Sequence, residues 1–326
     1  MNQTPLLYKY LPPDDSADGT PLPALVLRTM RIKATDPRTF NDPFEVRPWF
    51  DQERHDHFAK SHESFHKQVA GVEHSLAGSH SMVGFPTEHA VDFGEELNKK
   101  FRDDLGCKFR VLCLSRNPKS VLMWGHYTRS HAGVVLGFDT SAAGFPTGLK
   151  ADGFKVDYTQ DRSRTKLPLA FYRNPSVEEY DLFTRRITNR PDELVESNGG
   201  FCIPFSEYRR QVDEAGVTAL TTKAEDWRYE QEVRFIYDLE QSSGQLVREN
   251  SHLFVPIPPE ALREIIVGFR AKVELVREIV RLFRAGAIGK PGLFFAGCHP
   301  NLYEVQAHAA DDKYLLNYFE VVRPNL

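Results

Sequence analysis

Short apolar runs of strand length recur along this chain without alternating regularly with long helices, and that pattern restricts the fold more than any other feature. Strands are expected at 6–12 (LLYKYLP), 25–34 (LVLRTMRIKA), 109–115 (FRVLCLS), 134–140 (VVLGFDT), 154–158 (FKVDY), 232–238 (EVRFIYD), 253–258 (LFVPIP), 264–269 (EIIVGF), 303–309 (YEVQAHA) and 316–322 (LNYFEVV). Residues 272–286 (KVELVREIVRLFRAG) carry apolar side chains at helical spacing. Residues 121–133 (VLMWGHYTRSHAG) read as a helix of about three turns closed by Gly133. A doubly wound parallel sheet needs strict strand–helix alternation, so the expectation is an α+β fold on a mixed or antiparallel sheet. No internal repeat, low-complexity tract or linker stands out. A single α+β domain over 1–326 is expected, with polar, helix-like segments 51–105 and 168–216 as insertions.

At 326 residues the chain is long enough to bury a sizeable core, and 41% hydrophobic with 26% charged residues places it among ordinary globular proteins. A net charge of -4 argues against binding duplexes by wholesale phosphate neutralisation, though not against a local basic groove. No apolar run approaches the roughly 18 residues that span a bilayer, so no membrane partner is expected. The opening MNQTPLLYKYLPPDD lacks the basic and apolar regions of a secretory signal, and a cytoplasmic location is expected. Cys107, Cys113, Cys202 and Cys298 show no CxxC spacing and read as small buried thiols. His55, His57, His62 and His66 include an i,i+4 pair, but no Asp or Cys set completes a metal site, and a solvated helix face is the expectation.

Four short polar–aromatic blocks carry the candidate chemistry. In Tyr8-Lys9-Tyr10, strand alternation turns both tyrosines one way and Lys9 the other, either as core packing or as an aromatic wall for a flat ligand. In Phe40-Asn41-Asp42-Pro43-Phe44-Glu45, a turn explains Asn41 and Asp42 without function, but the loop also presents polar tips. In Met123-Trp124-Gly125-His126-Tyr127, with His131 following, a helix aligns Trp124, Tyr127 and His131 while His126 projects elsewhere. Gly125 inside that helix costs about 1 kcal/mol against Ala, which hints at a close approach. The fourth block, Asp226-Trp227-Arg228-Tyr229-Glu230-Gln231-Glu232-Val233-Arg234-Phe235, is the most informative. Strand alternation would put Glu230, Glu232 and Arg234 on one face and Val233, Phe235 and Tyr237 on the apolar one. That polar row is either a solvated ion pair of little worth or a carboxylate set for a cationic transition state, with Glu230 placed to orient or deprotonate an acceptor.

The blocks LYKY, FNDPFE, MWGHY before GVVLGFD, and WRYEQEVRFI, in that order over roughly 6–270, resemble a large bacterial family of domains of unknown function. That family is in turn similar to the ADP-ribosyltransferase-like superfamily. The resemblance implies a split mixed or antiparallel sheet core with a helical insertion, and NAD as substrate. It implies Glu232 as the catalytic carboxylate, Glu230 as the acceptor-orienting one, and Tyr8, Lys9 and Tyr10 in the NAD-anchoring place. Trp124, His126 or Tyr127 would take an adjoining role, and Asn41, Asp42 and Arg234 would line the nucleotide site. Lys9 stands where the superfamily has Arg or His, and no Ser-Thr-Ser segment is present.

Three functional readings follow. The first is an NAD-dependent ADP-ribosyltransferase or NAD glycohydrolase, by analogy a bacterial toxin or phage-defence effector with a nucleic-acid or protein acceptor. The second is a non-catalytic module that recognises a nucleotide or nucleic acid. The third is a metal-dependent nuclease using Asp42, Glu45, His126 and the late glutamates.

Overall fold

The computed structural model describes residues 5–16, 19–47, 90–165, 194–195, 203–286 and 288–310. The chain divides into two compact units: residues 1–40, 106–158 and 224–326 form the first, residues 41–105 and 159–223 the second. The His55–His66 set, the strand expected at 316–322 and Cys202 lie outside the described residues.

In chain order the elements are β1 (Leu7–Leu11), α1 (Leu22–Thr29), β2 (Arg31–Lys33), α2 (Ala90–Lys108), β3 (Phe109–Ser115), α3 (Val121–Tyr127) and β4 (Val134–Phe138). Then come β5 (Phe154–Lys155), β6 (Asp157–Thr159), β7 (Leu194–Val195), β8 (Ile203–Pro204), α4 (Phe205–Thr221), β9 (Thr222–Ala224) and β10 (Glu232–Asp238). The remainder is β11 (Val247–Glu249), β12 (His252–Pro256), β13 (Leu262–Val267), α5 (Val273–Arg284), β14 (Gly292–Cys298) and β15 (Val305–Ala309). The fold is therefore α+β.

The first unit is organised by an eight-stranded sheet in the order β15-β14-β13-β4-β1-β3-β10-β5. Every pairing described in it is antiparallel except β13 with β14, which run parallel and are joined through α5. A parallel pair needs such a crossover, and α5 supplies it with one apolar stripe: Val273, Leu275, Val276, Ile279, Val280 and Leu282 are buried. Glu274 in its first turn and Arg281 and Arg284 in its last match the helix dipole.

Alternation along the strands gives the sheet two faces. Leu7, Leu11, Leu112, Leu114, Leu136, Val233, Phe235 and Tyr237 share one core with α1, α5 and the three-stranded sheet β11-β12-β2. On the other face Tyr10, Val135, Ile266 and Ala296 pack against Met123 and Trp124 of α3. Full burial of one such large side chain stabilises by roughly 1.5–3 kcal/mol, and Trp124 is 0% exposed. The short α3 is thus fixed to the sheet by its apolar side.

Two local expectations need correcting. The strand expected over 25–34 is instead α1 followed by Met30 in the left-handed region and the short β2. Pro21 and Pro23 suit a helix start, and Ala24, Val26 and Leu27 bury on the sheet, so packing overrides the local alternation. The helix expected over 121–133 stops at Tyr127. The Thr128 hydroxyl donates back to the Trp124 carbonyl at 2.5 Å, and Arg129, Ser130 and His131 all take positive φ. Gly133 is not the cap: a Cβ there would lie 2.0 Å from the Leu11 carbonyl, so a close backbone approach requires the glycine.

Within the second unit, β7 and β8 pair antiparallel. Asp42 is buried, its Oδ1 accepting from the Phe44 amide at 2.9 Å, and Glu45 pairs with Lys223 at 3.7 Å with both side chains buried. Asn41 is exposed.

Candidate functional site

A row of directly opposed residues crosses the sheet on the α3 side: Glu264, Gly137, Tyr8, Ser115 and Glu232, on β13, β4, β1, β3 and β10. Glu232 opens β10, and β10 lies between β3 and β5, so its main chain is paired on both sides. Glu232 is 7% exposed, and its carboxylate receives the Arg234 guanidinium at 2.8 Å. Arg234 is 1% exposed and lies over the Phe40 ring at 4.9 Å from its centroid. The Glu232–Arg234 pair is therefore buried, not the solvated pair that the sequence allowed. Next to it, burial pushes the Cys113 thiol upward and the Glu232 carboxylate pushes it further, so the sulfur stays protonated.

Glu230 is not on the strand, contrary to the expected alternation. It ends a 3-10 helix, Glu225–Glu230, and Gln231 then takes a left-handed conformation (φ 46°, ψ 47°) before β10 begins. That turn, rather than a shared strand face, brings the second carboxylate to the same region. Glu230 is 2% exposed, and the Tyr127 hydroxyl of α3 donates to its Oε1 at 2.5 Å. The Ser115 hydroxyl donates to the Glu230 carbonyl at 2.6 Å and accepts from the Asn117 amide at 3.0 Å. The Glu232 amide donates to the Tyr158 hydroxyl at 2.8 Å, and the Gln231 carbonyl accepts from the Arg116 amide at 3.1 Å. Burial raises the Tyr158 phenol, which keeps it neutral beside two carboxylates. The backbone of Glu230-Gln231-Glu232 is thereby held by groups far away in sequence.

The exposed His126 and the half-buried Tyr229 and Trp227 adjoin this set. His126 and Tyr229 meet at 3.0 Å between Nδ1 and the hydroxyl, and the Tyr229 ring adjoins Trp227 at 6.0 Å. Arg116 and Lys119 are exposed on the loop between β3 and α3.

Of the residues singled out in the sequence, Glu230, Glu232, Arg234, His126 and Tyr127 come together here. The first block is engaged differently. Tyr8 leans across Gly137, where a Cβ would sit 2.9 Å from its ring, and donates to Glu264 at 3.2 Å, away from Glu232. Tyr10 donates to the Asn117 carbonyl at 2.6 Å, and the Lys9 ammonium to the Cys113 carbonyl at 3.2 Å. Trp124 is core, its indole N–H given to the Pro118 carbonyl at 2.7 Å. Asn41 and Asp42 belong to the second unit. Sequence reasoning missed Ser115, Tyr158 and Arg116. Ser115 closes an apolar strand and Tyr158 sits in FKVDY, and nothing local marks either as a partner of residues 115 and 74 positions away. Among the described residues, no group of three or more His, Cys, Asp or Glu side chains is placed to hold a metal ion, and no helix is long and apolar enough to cross a membrane.

Residues 123–235 match the family model described as a protein of unknown function (DUF2971). The matched segment begins at the first residue of MWGHY and ends within β10, so it contains α3 from Met123 onward, Tyr158 and both carboxylates, while LYKY and FNDPFE fall outside it. Comparison with curated proteins and with solved structures gives no match.

Proposed function

We propose that this chain is an NAD-consuming glycosyl-transfer enzyme, an ADP-ribosyltransferase or NAD glycohydrolase, with Glu232 and Glu230 as its working carboxylates. One observation carries the reading: two buried carboxylates flank a turn whose backbone is clamped by Ser115, Tyr158 and Arg116, beside the exposed His126 and the half-buried Tyr229. Such rigidity is what electrostatic stabilisation of a developing charge requires, because fixed groups need no reorganisation during reaction. The donor set suits the substrate. Carboxylates suit a ribose that becomes cationic, His126 and Tyr229 offer ring faces, and Arg116 and Lys119 offer positive charge for a pyrophosphate.

The chemistry is cleavage of the nicotinamide–ribose bond, in which nicotinamide departs with the bonding pair and water or an acceptor nucleophile replaces it. Glu232 lowers the energy of the cationic ribose and accepts a hydrogen bond from a ribose hydroxyl. Arg234 acts behind it as a positioning residue, through the 2.8 Å ion pair. Glu230, held by Tyr127, takes the proton that the attacking nucleophile loses. Purified protein incubated with NAD is expected to release nicotinamide. Glu232→Gln should lower that release by about 100-fold or more, the usual cost of removing one such stabilising group. No release by the unaltered protein, with no transfer to nucleic acid or protein, overturns the reading.

The engagement of Glu232 by Arg234 favours a second reading, a nucleotide-recognition module without chemistry. It predicts ligand-induced thermal stabilisation that survives Glu232→Gln. The nuclease reading gains nothing from the described residues, where no metal-binding group of side chains occurs.

A further inference from the structure

Gln231 is exposed between two buried glutamates, and it takes a left-handed backbone conformation that glycine or asparagine adopts more easily. Its amide donates to the Arg228 carbonyl at 3.2 Å and its carbonyl accepts from the Arg116 amide at 3.1 Å, so the peptide is satisfied within the protein. The neighbouring residues are fixed too, by Ser115 on one side and Tyr158 on the other. What this strained turn turns outward is one carboxamide, a neutral group that presents a donor and an acceptor side by side. A glycine would make the same turn without strain, and backbone strain retained at a site points to use of the side chain.

We infer that the Gln231 carboxamide is a substrate-contacting, specificity-determining group that pairs with a planar donor–acceptor edge of the ligand. The inference rests on the reading of this site as one for NAD. Two parts of that substrate carry such an edge, the carboxamide of nicotinamide and the amino edge of adenine. Both match a glutamine side chain in two parallel hydrogen bonds. Leucine at this position keeps the bulk and the strain but leaves the ligand edge unpaired, and an unpaired polar edge discriminates strongly.

The test is calorimetric titration of the full chain with NAD, nicotinamide mononucleotide and ADP-ribose, for the unaltered protein, Gln231→Leu and Gln231→Gly. Melting curves and nicotinamide release are recorded on the same samples. Gln231→Gly should melt no lower than the unaltered protein, showing an intact turn, and both variants should bind NAD about tenfold or more weakly. Loss confined to NAD and the mononucleotide assigns the contact to nicotinamide; loss confined to NAD and ADP-ribose assigns it to adenine. Equal weakening of all three ligands, unchanged affinity for all three, or no binding by the unaltered protein overturns the inference. Glutamine-dependent binding without nicotinamide release removes the enzymatic reading and leaves this contact standing. Release that is indifferent to both variants does the reverse.

Discussion

Ser115 and Tyr158 make the two carboxylates a unit, because each spends its hydroxyl on the main chain of the residue that carries one. Removing one partner of a buried hydrogen bond leaves the other unsatisfied, at a cost of about 1–3 kcal/mol. Ser115→Ala and Tyr158→Phe are each expected to lower unfolding stability by that amount in denaturant melts. Both should also lower nicotinamide release while leaving the charges in place. Full-rate catalysis in a destabilised Ser115→Ala protein would show that the clamp serves folding alone. The glutamates themselves were legible as an acidic pair near an arginine, since residue type and spacing suffice for that. Their geometry was not. A non-glycine residue in the left-handed region at 231 breaks the alternation, and the partners that impose it come from β3 and Tyr158, far away in sequence.

At the scale of elements, α3 is the part that carries the rim. Its Trp124 is buried against Tyr10 at 5.8 Å between ring centroids, in an edge-on arrangement, while His126 and Tyr127 on the same helix reach Tyr229 and Glu230. Trp124→Ala is expected to destabilise by about 3–5 kcal/mol, with a cavity under the site. Gly133→Ala forces β1 and the β4 entry apart, because its methyl would meet the Leu11 carbonyl. It should cost about 1–3 kcal/mol or more in the same melts. The strands at 109–115, 134–138 and 232–238 and the helix α5 were readable because long apolar periodicity survives any tertiary context. α1 was not, since eight residues can satisfy both periods and only burial on the sheet decides between them. The early end of α3 depends on Thr128 and three left-handed residues, a conformation that no residue type there announces.

For the whole molecule, two titrating groups, His131 and Glu278, contribute to the response to acid in different pH windows. Burial, and then the Arg270 charge, hold the His131 imidazole below its ordinary value, so the folded state binds that proton less readily than the unfolded chain. Stability from this source is complete above the ordinary 6.5 and is lost as the pH falls below it. Glu278 lies lower still. Hydrogen bonds from Arg281 and then Arg28 bring its carboxyl from 4.5 to about 2, so its contribution is complete above 4.5 and disappears between there and about 2. The Arg28–Glu278 pair ties α1 to α5 at 2.8 Å across the back of the sheet. Melts over pH 2 to 7 should show His131→Gln flattening the upper part of this loss and Glu278→Gln the lower part. An unchanged profile in both variants would place the acid sensitivity elsewhere.

The central claim is that Glu232 and Glu230 work as catalytic carboxylates on NAD, and nicotinamide release measures it most directly. The unaltered protein should release nicotinamide from NAD, Glu232→Gln should fall by about 100-fold or more when assayed below its own melting temperature, and Glu230→Gln should lose acceptor-dependent turnover. Equal release by Glu232→Gln and the unaltered protein would contradict the account.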